Sequence, residues 1–140
     1  MSDSVLVVNK LCKKYEDIVS IDEVSFSLKK GEIMSIIGPS GCGKSTILNI
    51  LASLDSPTTG SVLYNNNEHS IGYMLQQDAL LPWLTVWDNA VLGLKIKKMD
   101  NSENLNYVSF LFQKFHLEEF KEKYPKDLSG GMRQRVLWVF

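Results

Sequence analysis

Gly38 to Thr46 reads Gly-Pro-Ser-Gly-Cys-Gly-Lys-Ser-Thr, a glycine-rich stretch that closes on Lys-Ser-Thr. These residue types at this spacing suit a phosphate group. Gly38, Gly41 and Gly43 can take positive φ and let backbone N–H groups approach an anion with no Cβ in the way. Lys44 is expected to reach the β- and γ-phosphates as a point charge, and the Ser45 hydroxyl to bind Mg²⁺. Thr46 supports the loop near the α-phosphate, and Pro39, Ser40 and Cys42 complete the cradle.

Such a loop works only between a strand and a helix whose N-terminus points at the anion. Ile33-Met34-Ser35-Ile36-Ile37 is almost wholly apolar and reads as a short strand buried on both faces. After the loop, Ile47, Leu48, Leu51 and Leu54 recur at helical spacing. Strand, loop and helix therefore follow in the required order.

Upstream, Val5 to Val8 form an apolar stretch, and Val24, Phe26 and Leu28 alternate with polar residues as in a strand with one wet face. An antiparallel edge layer is expected there, with Lys29-Lys30-Gly31-Glu32 as the turn into the buried strand. Asp55 to Gly60 closes the first helix. Ser61 to Tyr64 and Ser70 to Leu75 read as two further strands around Asn65-Asn66-Asn67. From Trp83 the period changes: Leu105, Val108, Leu111, Phe112, Phe115 and Phe120 recur at helical spacing. Pro125 is expected to end one helix, and Asp127 or Ser129 to cap the next, which starts near Gly130.

The 140 residues suffice for one ordinary domain, and 44% hydrophobic content supports a core. A formal net charge of −1 argues against a nucleic-acid partner held by bulk electrostatics. No apolar run reaches the ~20 residues that span a bilayer. Met1-Ser2-Asp3-Ser4 lacks signal-peptide character, so a cytosolic chain is expected. Cys12 and Cys42 suggest neither a disulfide framework nor a zinc site. His69, in an Asn-rich turn, and His116, in an amphipathic helix, look like neither ligands nor bases.

A second constellation lies at Leu128-Ser129-Gly130-Gly131-Met132-Arg133-Gln134-Arg135-Val136. Ser129 and the N–H groups of Gly130 and Gly131 sit at a helix start, another geometry that attracts anions. Taken alone, a capped helix explains it equally well. Together with the phosphate loop it resembles the signature motif of ABC-transporter ATPase domains, usually Leu-Ser-Gly-Gly-Gln, with Met132 in place of the glutamine. Between the two motifs, Met74 to Val86 resembles the Q-loop of that family, and its Leu81-Pro82-Trp83 is most similar to the branch serving nitrate, sulfonate or taurine uptake. The resemblance runs from about Val5 to Val136.

The resemblance implies an α/β P-loop NTPase fold of the ABC-ATPase type: an N-terminal antiparallel β layer, an incomplete parallel core sheet and a helical subdomain. Its expected boundaries are 1–82 for the nucleotide-binding part and 83–140 for the helical part. It implies that Gln76 contacts Mg²⁺ and the attacking water, that Tyr15 stacks on adenine, and that Ser129, Gly130 and Gly131 close on the γ-phosphate of ATP held by an opposite protomer. It further implies a homodimer on the cytoplasmic face of the cell membrane, docked near Trp83 to a permease. A periplasmic or extracellular solute-binding protein takes part indirectly, and no nucleic acid is involved. A GTPase or small-molecule kinase is disfavoured because the chain has no Asn-Lys-x-Asp guanine motif.

In the family the pattern continues past the signature helix into an apolar strand ending in Asp-Glu, which orders Mg²⁺ and polarises the attacking water, and then to a switch histidine. This sequence contains none of these. Leu137-Trp138-Val139-Phe140 replaces the usual Ala-Leu-Ala-Arg, so a premature stop, a frameshift or a fragmentary reading is expected, and hydrolysis by this chain alone is doubtful. Without the intervening strands, the edges of Ile33–Ile37 and Ile71–Leu75 should stand unpaired and leave the chain marginal or prone to aggregate.

Overall fold

The computed structural model describes residues 4–65, 71–75 and 79–139. The chain separates into two compact units, Met1–Tyr73 and Met74–Phe140. Each has its own apolar core.

The first unit is built on an antiparallel sheet of β1 (Ser4–Tyr15), β2 (Ile18–Lys29) and β3 (Thr59–Tyr64), in the order β2-β1-β3. Pairing of Tyr15 with Ile18 leaves Glu16 and Asp17 as the hairpin turn. The expected edge layer is therefore present, and longer than the apolar pattern alone suggested. The reason is a register shift between Val8 and Leu11, where Lys10 takes φ 44°. That irregularity changes the phase of the strand, so Leu6, Val8 and Leu11 all turn inward although strict alternation would send Lys10 there. Gly60 serves the same crowded spot. At φ 89°, a Cβ on it would lie 2.2 Å from the Lys10 carbonyl oxygen, which only glycine avoids.

Helix α1 (Lys44–Leu51) lays Ile47 and Ile50 on Leu6, Val8, Leu11 and Ile21. Leu48 and Leu54, which the spacing had assigned to the same stripe, are 44% and 65% exposed. Leu54 lies beyond the helix, after Ser53 turns the chain through φ 58° and the Leu54 N–H donates back to Asn49 O at 2.9 Å. The Lys29–Glu32 turn is present, closed by Glu32 N–H donating to Lys29 O at 3.1 Å.

The expected buried strand at Ile33–Ile37 is not formed. These residues carry no ladder, and Ile33 and Ile37 are 93% and 92% exposed. Residues 71–75 likewise form no regular strand. The apolar composition is that of a strand with neighbours on both edges, and among the described residues no strand lies beside either segment. An apolar opening of about 390 Å³ remains, lined by Leu6, Leu28, Leu48, Leu51, Tyr64 and Tyr73, among others.

The second unit is helical: α2 (Val86–Ile96), α3 (Ser102–Lys114) and α4 (Gly130–Val139), with single 3₁₀ turns at Glu118–Phe120 and Pro125–Asp127. Thr85 and Asn101 cap α2 and α3 by accepting from the N–H groups of Asp88 at 3.0 Å and Asn104 at 2.9 Å. Val86, Val91, Val108, Phe112, Leu117 and Val136 form its centre. Trp87 meets Phe112 edge-on at 5.2 Å, and the Lys121 ammonium lies over both rings.

Two sequence expectations shift here. His116 is not in the helix but just after it, at φ 55°, where Leu117 N–H donates back to Phe112 O at 2.8 Å and closes α3. Pro125 does not end a helix either; it is buried and opens a 3₁₀ turn, because its fixed φ suits a first helical position.

Candidate functional site

The glycine-rich loop leads into α1 with Gly43 as the N-cap residue, at φ 90° and ψ 5°. No side chain caps this helix and no acidic residue sits in its first turn, so its N–H groups face outward without a competing negative charge. Gly43 has to be glycine twice over. Its φ is left-handed, and a Cβ would come within 2.4 Å of the Ser20 carbonyl oxygen on β2. Gly41 is left-handed too, at φ 81°. Gly38, expected to need positive φ, does not take it. A Cβ there would lie 2.6 Å from Cys42 Sγ, which would have to turn aside.

The Lys44 ammonium folds back along the loop, donating to Gly38 O at 2.8 Å and Pro39 O at 2.6 Å, with Cys42 Sγ at 3.6 Å. A cation is thus held over a concave run of backbone at a helix N-terminus, the arrangement that receives a phosphate. Ser40 and Ser45 are exposed beside it, and Thr46 is half-buried. The Thr46 and Ser20 hydroxyls lie 3.2 Å apart, linking the helix to β2.

At the end of β1, Tyr15 is 45% exposed and its hydroxyl donates to Asp55 Oδ2 at 2.6 Å. Lys13 Nζ donates to Asp55 Oδ1 at 2.6 Å and to Ser56 O at 2.7 Å. The Lys13 hydrogen bond, then that from Tyr15, lowers the Asp55 carboxyl to about 2. The Tyr15 phenol is raised, chiefly because it bonds that carboxylate; the Thr46 hydroxyl works in the opposite direction. Tyr15, Asp55 and Thr46 therefore belong to one cluster beside the loop. Lys13 and Asp55 had no signal in the sequence as site residues, for they meet only after β1 and the segment following α1 are folded together.

In the second unit, Ser129 caps α4, its hydroxyl accepting from the Met132 N–H at 3.3 Å. Asp127 instead accepts from Tyr124 N–H at 3.2 Å and closes the preceding turn. Gly130 and Gly131 are exposed, and a Cβ on Gly131 would meet nothing within 4 Å. Leu128 is buried beneath them. Arg133 Nη1 donates to Leu128 O at 2.7 Å and holds the backbone at the helix start, while Arg135 Nη1 donates to Phe115 O at 2.9 Å and ties α4 to the end of α3.

Trp83 is 69% exposed, and Leu84 beside it is half-buried. The loop is held from below by Asn89, only 3% exposed. Its Oδ1 accepts from Leu81 N–H at 2.7 Å, and its Nδ2 donates to Leu81 O, Leu84 O and Thr85 O at 3.1, 3.2 and 2.9 Å. Sequence reading missed this residue, although a lone asparagine on the apolar face of α2 is the signal that finds it. Gln76 and His69 lie outside the described residues.

A family model described as ABC transporter matches residues 21–138. The chain belongs to the ABC transporter ATP-binding family. An uncharacterized ABC transporter ATP-binding protein of Bacillus subtilis, YtlC, is 46% identical over 126 residues, covering 86% of this chain and 48% of that protein. The sulfate/thiosulfate import ATP-binding protein CysA of Mycobacterium tuberculosis is 40% identical over 139 residues, 94% of this chain and 40% of its own length. Among solved structures, a dimeric bacterial ABC transporter cassette, MJ0796, aligns with a TM-score of 0.82 at 34% identity, over 96% of this chain and 67% of that one. The same cassette in a post-hydrolysis state bound to ADP and Pi aligns at 0.81. This ABC domain thus spans about half the length of the Bacillus protein and 40% of the Mycobacterium one, and its fold is the mixed α/β P-loop type. Among the described residues, no helix is long and apolar enough to cross a membrane.

Proposed function

We propose that this chain binds Mg²⁺-ATP as part of the ATP-binding subunit of an importer, one that in its complete form couples ATP hydrolysis to solute uptake. The observation that carries this reading is the Lys44 ammonium poised over the Gly38–Thr46 loop at an uncapped helix N-terminus. Phosphates take the place of the two loop carbonyls that Lys44 now contacts. The Tyr15 ring, 45% exposed beside Thr46, receives the adenine.

Mg²⁺ fits the donor set in one way. Among the described residues no group of three His, Cys, Asp or Glu side chains could cage a metal, and the loop offers the exposed Ser45 hydroxyl. That suits Mg²⁺, which keeps several waters and binds through phosphates with one or two protein oxygens. The bound ion neutralises charge on the phosphates. Gln76 is assigned to the same ion by the family resemblance alone.

Ser129, Gly130 and Gly131 serve ATP held by a second copy in a homodimer, in keeping with the dimeric cassettes that the chain resembles. The exposed Trp83 loop docks a permease on the cytoplasmic face of the membrane, and a solute-binding protein acts outside. The Leu81-Pro82-Trp83 sequence favours a nitrate, sulfonate or taurine type of importer, although the relatives named above include a sulfate/thiosulfate import protein.

A second reading is a chain that holds ATP without turning it over, since the loop Gly38–Thr46 itself carries no carboxylate to polarise an attacking water. Equilibrium binding of labelled ATP beside a phosphate-release assay separates the two. Turnover that disappears in Lys44→Ala supports the enzyme, and binding without turnover supports the second reading. Absence of ATP binding at millimolar nucleotide overturns both.

A further inference from the structure

The base-stacking tyrosine has an occupied face. Lys13 Nζ lies over the Tyr15 ring, 4.8 Å from its centroid, and the Lys13 side chain is only 12% exposed. The same carboxylate holds the two groups in place, Oδ1 taking the ammonium and Oδ2 the phenol hydroxyl. Asp55 is itself fixed by the Ser56 N–H, which donates to Oδ1 at 2.7 Å. The ring is therefore tied at its hydroxyl end and covered on one side.

We propose that Asp55 and Lys13 are positioning residues that make Tyr15 a one-faced platform for the nucleobase, Asp55 setting the tilt of the ring and Lys13 closing its back. This rests on the reading that Tyr15 stacks on the purine of the nucleotide whose phosphates occupy the Gly38–Thr46 loop. Two physical effects favour it. A ring already held in its bound orientation has less freedom to lose when the base arrives. A cation behind the ring draws on its π-cloud, leaving the open face less negative toward an electron-rich purine.

The competing role for the same three residues is a clasp that fastens β1 to the segment before β3, with no bearing on the ligand. A clasp would affect every ligand of the loop alike. Binding constants for ATP and for inorganic tripolyphosphate, measured on the 140-residue chain, separate the cases because tripolyphosphate has no base. Tyr15→Phe and Asp55→Ala are each expected to weaken ATP about three- to ten-fold while leaving tripolyphosphate unchanged. Lys13→Met should do the same. The double variant Tyr15→Phe with Asp55→Ala should bind ATP no more weakly than Asp55→Ala alone, since both changes break one hydrogen bond.

Parallel loss of ATP and tripolyphosphate overturns the proposal in favour of the clasp, as does full additivity in the double variant. Tyr15→Ala keeps the premise separate. If it leaves the ratio of ATP to tripolyphosphate affinity unchanged, the stacking reading itself fails. If it lowers that ratio while Asp55→Ala and Lys13→Met do not, only the positioning roles fail.

Discussion

Lys44 is the side chain on which the nucleotide reading depends, and its contacts give the reading a magnitude. A charge-assisted hydrogen bond contributes about 1.5–3 kcal/mol, so Lys44→Ala is expected to weaken ATP by roughly 10- to 100-fold, measured with labelled nucleotide. Asp55 gives an acid signature. Its carboxyl falls from an ordinary 3.8 to about 2 in the folded chain, so it contributes fully above pH 3.8 and loses that contribution as the pH drops toward 2. Protection factors of β1 amides, taken relative to the intrinsic exchange rate at each pH, should fall over that window, and less so in Asp55→Asn; identical acid profiles for the two proteins would remove Asp55 from the account. Lys44 and its glycines were legible because their spacing is local. Lys13 and Asp55 were not, because 42 residues separate them and nothing in either neighbourhood announces the other.

Three helix ends carry backbone strain. Ser53, Lys98 and His116 each turn the chain after a helix in the left-handed region, at φ 58°, 55° and 55°. In each case an N–H one residue further on reaches back to close the final turn, as Met99 does to Leu94 O at 2.8 Å. Glycine takes this conformation without steric cost. Lys98→Gly should therefore raise stability by about 1 kcal/mol, read from the urea midpoint. Asn89→Ala runs the other way: it strips the Leu81–Thr85 loop of a partner for one N–H and three carbonyls, and should cost about 1–3 kcal/mol. Helical periodicity revealed α3 well, since Val108 and Phe112 lie on its buried face. It misplaced the ends, because a non-glycine residue that stops a helix looks no different from one that continues it.

For the whole molecule, the deciding surface is the apolar side of the first unit. Ile33 and Ile37 stand almost fully exposed, and the same unit has an opening lined by Leu6, Leu28, Leu48 and Leu51. Exposed apolar backbone of this kind pairs with other chains. Sedimentation velocity should show self-association of the 140-residue chain at micromolar concentration, and Ile33→Lys with Ile37→Lys should raise the monomer fraction. A wild-type chain that stays monomeric and melts cooperatively would refute this. The antiparallel layer was legible from alternation, whereas Ile33–Ile37 read as a buried strand because composition records the environment a segment suits, not whether its neighbours are present. The division into two units also governs how the molecule can be watched. All three tryptophans, Trp83, Trp87 and Trp138, belong to Met74–Phe140, and the first unit carries three tyrosines and Phe26 but no tryptophan. Emission excited at the red edge of the indole band thus follows the helical unit alone. Unfolding around the phosphate loop would pass unseen in such a trace, and a tryptophan placed in the first unit would be needed to reveal it.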